Sequence, residues 1–257
     1  MSNVAAFFDL DKTIIATSAS AALSNPFVQG GIVTRADVLR TAYAHITHLL
    51  GSAGEQSSQR LTKQLSEMAT GWDVERVRKV VAESVHESVD PYVYAEAAAI
   101  INEHHELGHD VIVVSASGSE LVEPIAAMLG ADHTIATRMV VKDGKYTGDI
   151  EFHAYGENKA VAIRDLAQSH GYDLERSYAY TDSITDGPML DAVGRGFVVN
   201  PDRELRELAV EKGWGILNFA RPVMVQSAMR VHRAKALSVL AFGAAIVLAI
   251  RAVTHRK

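Results

Sequence analysis

Four short segments carry residues whose types and spacing suit chemistry on phosphorus. Asp9-Leu10-Asp11-Lys12-Thr13 places two carboxylates two residues apart. At the end of a strand, that spacing turns both side chains to the same side of the chain. A carboxylate attacking phosphorus needs a cation to offset repulsion from the phosphate oxygens. A second carboxylic acid beside it can protonate the leaving oxygen and then deprotonate the attacking water. Asp182-Ser183-Ile184-Thr185-Asp186 adds two more carboxylates. Oxygen-only ligation of this kind suits Mg2+, which keeps water and phosphate among its ligands. Lys159 stands near the start of a helical pattern, after Gly156-Glu157-Asn158, where a lysine can act as a point charge on phosphate. Ser115-Ala116-Ser117-Gly118 offers a hydroxyl and backbone N–H donors to an anion.

Each segment alone has a plainer reading. Asp9 and Asp11 could be solvated turn residues, and Asp186 could cap the helix that starts near Pro188. Lys159 could be a surface lysine and Ser115 part of an N-cap cluster. What raises them is where they fall. Val4–Phe8, Asp110–Ser115, Ser177–Thr181 and Phe197–Val199 read as strands. Glu120–Leu129, Asn158–His170, Pro188–Val193 and Arg203–Lys212 read as helices between or after them. Alternating strands and helices predict an α/β fold, a Rossmann-like doubly wound parallel sheet covered on both faces. Ligands in such sheets sit beyond the carboxyl ends of the strands, where three polar clusters fall: Asp9/Asp11/Thr13, Ser115/Ser117 and Thr181/Asp182. Asp143-Gly144, inside Met139–Gly148, predicts a hairpin.

Between the first strand and Asp110 the pattern is mostly helical, over Thr34–Leu50, Gln56–Ala69, Asp73–Val89 and Val93–Glu106. This is too long for an ordinary crossover and predicts an inserted helical cap. The expected organisation is a core of residues 1–15 and 108–220, a cap of 16–107 and a tail of 221–257. The chain has 257 residues, a net charge of -6 and no cysteine. That balance leaves no basic footprint for nucleic acid, and disulfides and thiolate metal sites are excluded.

The order DLDKT, VVSASG, GENK, YTDSITD resembles the haloacid dehalogenase superfamily of phosphohydrolases. With its long helical insertion, the chain looks most like the phosphoserine-phosphatase-like members, the IB hydrolase group. VVSASGSELVEPIA, DGKYTG and YTDSITDGPML carry that likeness, which spans roughly residues 4 to 222 and is close to tailed actinobacterial members. The resemblance implies a Mg2+-dependent phosphatase. Asp9 would be the nucleophile and a metal ligand. Asp11 would be the general acid/base, touching the metal through its carbonyl. Thr13, Ser115, Ala116 and Lys159 would hold the loop and the phosphoryl group, Asp182 would ligate Mg2+, and Asp186 would support the metal shell. Two positions depart from the pattern. Ser18 stands where phosphoserine phosphatases usually carry a glutamate that helps recognise the substrate amine, and Gly187 replaces a bulky apolar residue.

Ala236–Ile250 is an uncharged run of 15 residues between Lys235 and Arg251. At 1.5 Å per residue a helix of that length spans about 22 Å, and Ala252 and Val253 extend it toward the bilayer thickness. The expectation is a C-terminal membrane helix over 236–253 that anchors a cytoplasmic catalytic domain, with a phosphorylated small-molecule or lipid-derived substrate and no nucleic-acid partner. Two other readings are a membrane-tethered regulatory protein that binds a phosphorylated ligand, and a phosphotransferase to an acceptor other than water. His104, His105 and His109 are expected on an exposed helix end, and Trp72 and Trp214 as packing residues.

Overall fold

A computed structural model describes residues 3–34 and 66–220 of the chain. Its frame is a seven-stranded sheet of order β4-β3-β2-β1-β5-β6-β7. The strands are β1 (Ala5–Asp9), β2 (Asp110–Gly118), β3 (His133–Lys142), β4 (Lys145–Phe152), β5 (Tyr178–Thr181), β6 (Arg195–Val199) and β7 (Gly215–Leu217). Every pairing is parallel except β3 with β4, the hairpin turned by Asp143-Gly144. The helices are α1 (Ala19–Ala22), α2 (Ser24–Gln29), α3 (Val74–Val89), α4 (Ala95–Glu106), α5 (Ser119–Met128), α6 (Glu157–His170), α7 (Gly187–Asp191) and α8 (Arg203–Lys212).

β1 is central and buried along its whole length. Its alternation divides the core. Phe8 packs on one face with Ile101, Val122 and Ile125. Phe7 packs on the other with Ile163, Met189 and Leu190. A sheet with apolar clusters on both faces is the doubly wound arrangement that the strand–helix alternation predicts.

The described helices form for reasons local to their sequence. Asp73 caps α3, its carboxylate accepting from the Arg76 N–H, and Val77, Val81, Val85 and Val89 line one buried stripe at a spacing of four. That stripe shares the apolar cluster of Val122 and Ile125 on α5. α4 turns Ala97, Ile101 and His104 inward against the same side of the sheet. The chain leaves and re-enters the sheet through a narrow neck. The Ala16 N–H donates to the Tyr92 carbonyl at 2.8 Å, and the Tyr94 N–H donates to the Ile14 carbonyl at 2.9 Å.

Several boundaries differ from the sequence expectation. The hairpin starts at His133 and ends at Phe152, well beyond Met139–Gly148, because β3 also pairs in parallel with β2. β2 runs to Gly118, past Ser115, with a register shift between them. β7, α1 and α2 are too short to announce themselves by periodicity. The predicted helices over Thr34–Leu50 and Gln56–Ala69 lie almost wholly outside the described residues, as does the run at 236–253. Among the described residues no helix is long and apolar enough to cross a membrane.

The histidine expectation needs correction at His104. Its side chain is buried, not exposed: Nε2 lies 2.9 Å from the Tyr180 hydroxyl and Nδ1 lies 2.9 Å from His109 Nδ1. The cause is tertiary. α4 lies over the aromatic ladder Phe8–Tyr180–Phe197, which stacks across β1, β5 and β6, and His104 meets it edge-on. Trp72 and Trp214 pack against the two apolar clusters, as the sequence predicts.

Candidate active site

Register brings the chemistry together. Asp9 pairs with Val114 across β1 and β2, and Phe8 pairs with Tyr180 across β1 and β5. The three strands therefore end side by side, delivering Asp9, Ser115 and Thr181 to one edge of the sheet. Beyond Asp9 the chain folds into a tight loop in which the N–H groups of Thr13, Ile14 and Ile15 all point at the Leu10 carbonyl. Lys12 takes a left-handed conformation there, with φ +62°, a backbone cost that functional loops often carry. Leu10, Ile14 and Ile15 are fully buried and hold the loop down.

Lys159 is the hub. It is 2 % exposed, and its Nζ donates to Asp9 Oδ1 at 2.7 Å and to Asp186 Oδ2 at 2.8 Å. It reaches this place from the first turn of α6. That helix starts after Gly156, whose φ of +54° and ψ of −129° lie in a region other residues avoid. Thr181, at the tip of β5, donates to the same Asp186 Oδ2 at 2.8 Å. The Thr13 hydroxyl lies 3.3 Å from Asp9 Oδ2 and 3.4 Å from Asp182 Oδ1.

Asp11 is held from two sides. Oδ1 accepts from the Ala19 N–H at 2.7 Å, and Oδ2 accepts from the Ser117 hydroxyl at 3.0 Å. Ser115 is buried, and its oxygen accepts from the Ser117 N–H at 3.1 Å. The Ala116 carbonyl accepts from Thr137 Oγ1 at 2.7 Å, and that oxygen in turn accepts from the Ala154 N–H at 3.2 Å. The last residues of β2 are thereby tied to β3 and to the segment that leads into α6.

The charge balance is lopsided. Burial pushes the Asp9 carboxyl well above the ordinary carboxylate range; Lys159 opposes this, while Asp186, Asp182 and Asp11 reinforce it. Burial raises Asp182 to about 6, with Lys12 acting against and Asp186 with it. Burial likewise raises Asp11, against the donors Ala19 and Ser117. Burial works to lower Lys159, but the Asp186 and Asp9 carboxylates outweigh it and hold the ammonium charged. One buried lysine thus faces four aspartates, a surplus of negative charge that a cation would relieve.

The donor set fits a hard cation. Among the described residues no group of three or more His, Cys, Asp or Glu side chains gathers as a metal cluster. What the site offers is the Asp9 and Asp182 carboxylates, both within reach of the Thr13 hydroxyl, and beyond Lys159 the carboxylate of Asp186. Its Oδ2 is already engaged by Lys159 and Thr181. Few protein carboxylates and open positions for water and phosphate are what Mg2+ takes.

The hydrogen bonds form separate groups: Lys159, Thr13 and Thr181 bond to Asp9, Asp182 and Asp186; Ser117 and the Ala19 N–H hold Asp11, with Ser115 behind Ser117; and Thr137 holds Ala116. Sequence reasoning assigned no role to Ser117, Thr137, Thr181 or the Ala19 N–H. Ser117 had a signal, because Ser-x-Ser repeats the two-residue spacing of Asp-x-Asp at a neighbouring strand tip. Thr137 had none, since its relation to Ala116 and Ala154 exists only in three dimensions.

Comparison with known proteins identifies the family. The family model of the haloacid dehalogenase-like hydrolases matches residues 6–191. A Streptomyces azureus protein named "Inhibition of morphological differentiation protein" is 54% identical over 223 residues, covering 86% of this chain and 80% of its own length. A Mycobacterium tuberculosis protein named "Probable phosphatase" is 52% identical over 251 residues, covering 98% and 88%. The crystal structure of a Bordetella pertussis protein of unknown function superposes with a TM-score of 0.74 at 26% identity, covering 84% of this chain and 99% of its own. The chain belongs to the haloacid dehalogenase-like hydrolases.

Proposed function

We propose that the protein is a magnesium-dependent phosphomonoester hydrolase that works through a phosphoryl group carried on Asp9. The observation that carries this reading is the Lys159 ammonium set between Asp9 and Asp186, at strand tips shared with Asp11 and Ser115. Lys159 opposes the upward push that burial gives Asp9 and orients its carboxylate as a nucleophile. Asp9, Asp182 and the Asp11 carbonyl would hold Mg2+, with Asp186 supporting that shell. The bound ion would supply charge neutralisation between the attacking carboxylate and the phosphate oxygens. Ser115, the Ala116 N–H and Lys159 would bind the transferring phosphoryl group, while Thr13 steadies Asp9. Asp11 protonates the departing alcohol and then takes a proton from the water that releases phosphate.

Residues 16–107 supply the proposed cap, which would limit access of bulk water during transfer. Ser18 argues against phosphoserine as the substrate. Its hydroxyl accepts from the Ala21 N–H at 3.2 Å as the cap of α1, so no carboxylate stands there to meet a substrate amine. The apolar run at Ala236–Ile250, flanked by basic residues, supports membrane tethering of a cytoplasmic catalytic domain and brings lipid-derived phosphates within reach.

The test is phosphate release with and without Mg2+, by the full chain and by Asp9→Asn, on a panel that pairs soluble phosphomonoesters with lipid phosphates. Release that needs both Mg2+ and Asp9 is expected. Equal activity of the two proteins would overturn the assignment. Preference within the panel assigns the substrate class.

A further inference from the structure

The two oxygens of Asp11 have chemically different partners. Oδ1 faces the backbone N–H of Ala19 at 2.7 Å, a group that can only donate. Oδ2 faces the hydroxyl of Ser117 at 3.0 Å, a group that can donate or accept. A proton on Oδ1 would set two donors against each other and leave a part-buried N–H without an acceptor, which is costly. A proton on Oδ2 costs nothing of the kind. The serine hydroxyl rotates about its Cβ–Oγ bond, gives up donation and accepts instead.

Ser117 is also well placed to be this partner. It lies two residues beyond Ser115 on the same loop, and its own N–H is fixed to Ser115 Oγ at 3.1 Å. The neighbouring Ala116 carbonyl is fixed by Thr137. The hydroxyl therefore approaches Asp11 from the strand tip that offers phosphate its N–H groups. The oxygen it holds is thereby kept beside the phosphate-binding loop.

From this geometry we propose that Ser117 is a positioning residue: the Ala19 N–H leaves only Oδ2 free for the mobile proton of Asp11, and the Ser117 hydroxyl holds that oxygen in place beside the phosphate-binding segment. The inference rests on the phosphatase reading above. In the first half-reaction the bond from phosphorus to the leaving oxygen breaks as the bond to Asp9 forms, and the proton on Oδ2 passes to that oxygen. Ser117 then donates to the carboxylate left behind. In the second half-reaction water attacks the phosphorus, the bond from phosphorus to the Asp9 oxygen breaks and frees inorganic phosphate and the Asp9 carboxylate, the water's proton passes to Oδ2, and the Ser117 hydroxyl turns back to accept. Protons balance over the cycle and no other reactant is needed.

The test exploits the leaving group. p-Nitrophenyl phosphate releases a stabilised anion that needs little protonation, whereas an alkyl phosphate such as glycerol 2-phosphate needs it fully. With the full chain and Mg2+, kcat/KM is measured for both substrates in wild type, Ser117→Ala and Ser117→Thr. Ser117→Ala is expected to lose about 10- to 100-fold on the alkyl ester, the range of one hydrogen bond to a charged group, and less than about threefold on the nitrophenyl ester. Ser117→Thr keeps the hydroxyl and is expected to recover most of the loss. Ser117→Ala losing equally on both substrates, or on neither, would overturn the proposal, as would Ser117→Thr matching the alanine variant. Asp9→Asn run in parallel separates the two readings. Asp9-dependent turnover with no leaving-group effect sinks only the role of Ser117. Turnover that ignores Asp9 sinks the phosphatase reading and this inference with it.

Discussion

Lys159 lies 150 positions from Asp9 in the chain, yet its ammonium sits 2.7 Å from the Asp9 carboxylate, with both side chains almost completely out of water. A buried lysine between two aspartates costs desolvation that only its partners offset. Removing it should therefore show in stability as well as in catalysis. Lys159→Met is expected to unfold at lower denaturant in the absence of metal, by about 3 kcal/mol, because two carboxylates lose their shared counter-charge. Phosphate release should fall by a factor of at least about a hundred. Denaturant melts in EDTA and a phosphate assay measure the two effects. Unchanged stability would mean that Lys159 does not hold this cluster.

The surplus of carboxylates predicts a cation response. Mg2+ should raise the melting temperature of the wild type, and at a hundredfold excess over its Kd the gain should approach about 2.7 kcal/mol. Asp182→Asn should abolish most of that response. In EDTA the same variant should be at least as stable as wild type, since one repelling charge near Asp186 and Asp9 is gone. Thermal melts of both proteins with and without Mg2+ decide this.

Gly156 holds a conformation that an L side chain resists, one turn ahead of Lys159. A Cβ there meets only the Thr185 carbonyl at 3.8 Å, so the penalty is backbone strain, not crowding. Gly156→Ala is expected to cost about 1–3 kcal/mol. It should also lower phosphate release by shifting the start of α6. If stability falls while activity per folded molecule stays constant, the turn matters to folding alone.

Acid should loosen the helix that backs the sheet. Burial lowers His104 to about 4, helped by His109 and His105, and burial with Arg176 and Arg195 lowers His109. An unfolded histidine titrates near about 6.5. Between about 6.5 and 4 the unfolded chain therefore binds protons that the folded chain refuses, and stability falls as pH falls through that window. Tyr178 and Tyr180 stack on or bond to this pair. His104→Gln keeps a partner for the Tyr180 hydroxyl and should flatten part of the slope. Denaturant melts at stepped pH test it; an unchanged slope in the variant would assign the acid sensitivity elsewhere.

How much could be read in advance depended on range. The strands Val4–Phe8, Asp110–Ser115, Ser177–Thr181 and Phe197–Val199 were legible because a buried parallel strand is a short apolar run closed by polar residues, a purely local pattern. α8 was legible to the residue, because Asp202 caps its start and Gly213 its end. Carboxylates two apart at the tip of such a strand stand out for the same reason. Residue identity therefore determined the α/β class and brought the candidate site residues into view. The tertiary structure decided who touches whom. β-sheet register set Asp9 level with Val114 and brought the tips of β1, β2 and β5 together. The packing of α4 buried His104, and one Asp11 oxygen met a serine at the end of β2 while the other met the backbone amide of Ala19 at the start of α1. Periodicity describes one segment at a time, whereas a hydrogen bond across 106 positions depends on how separate segments pack.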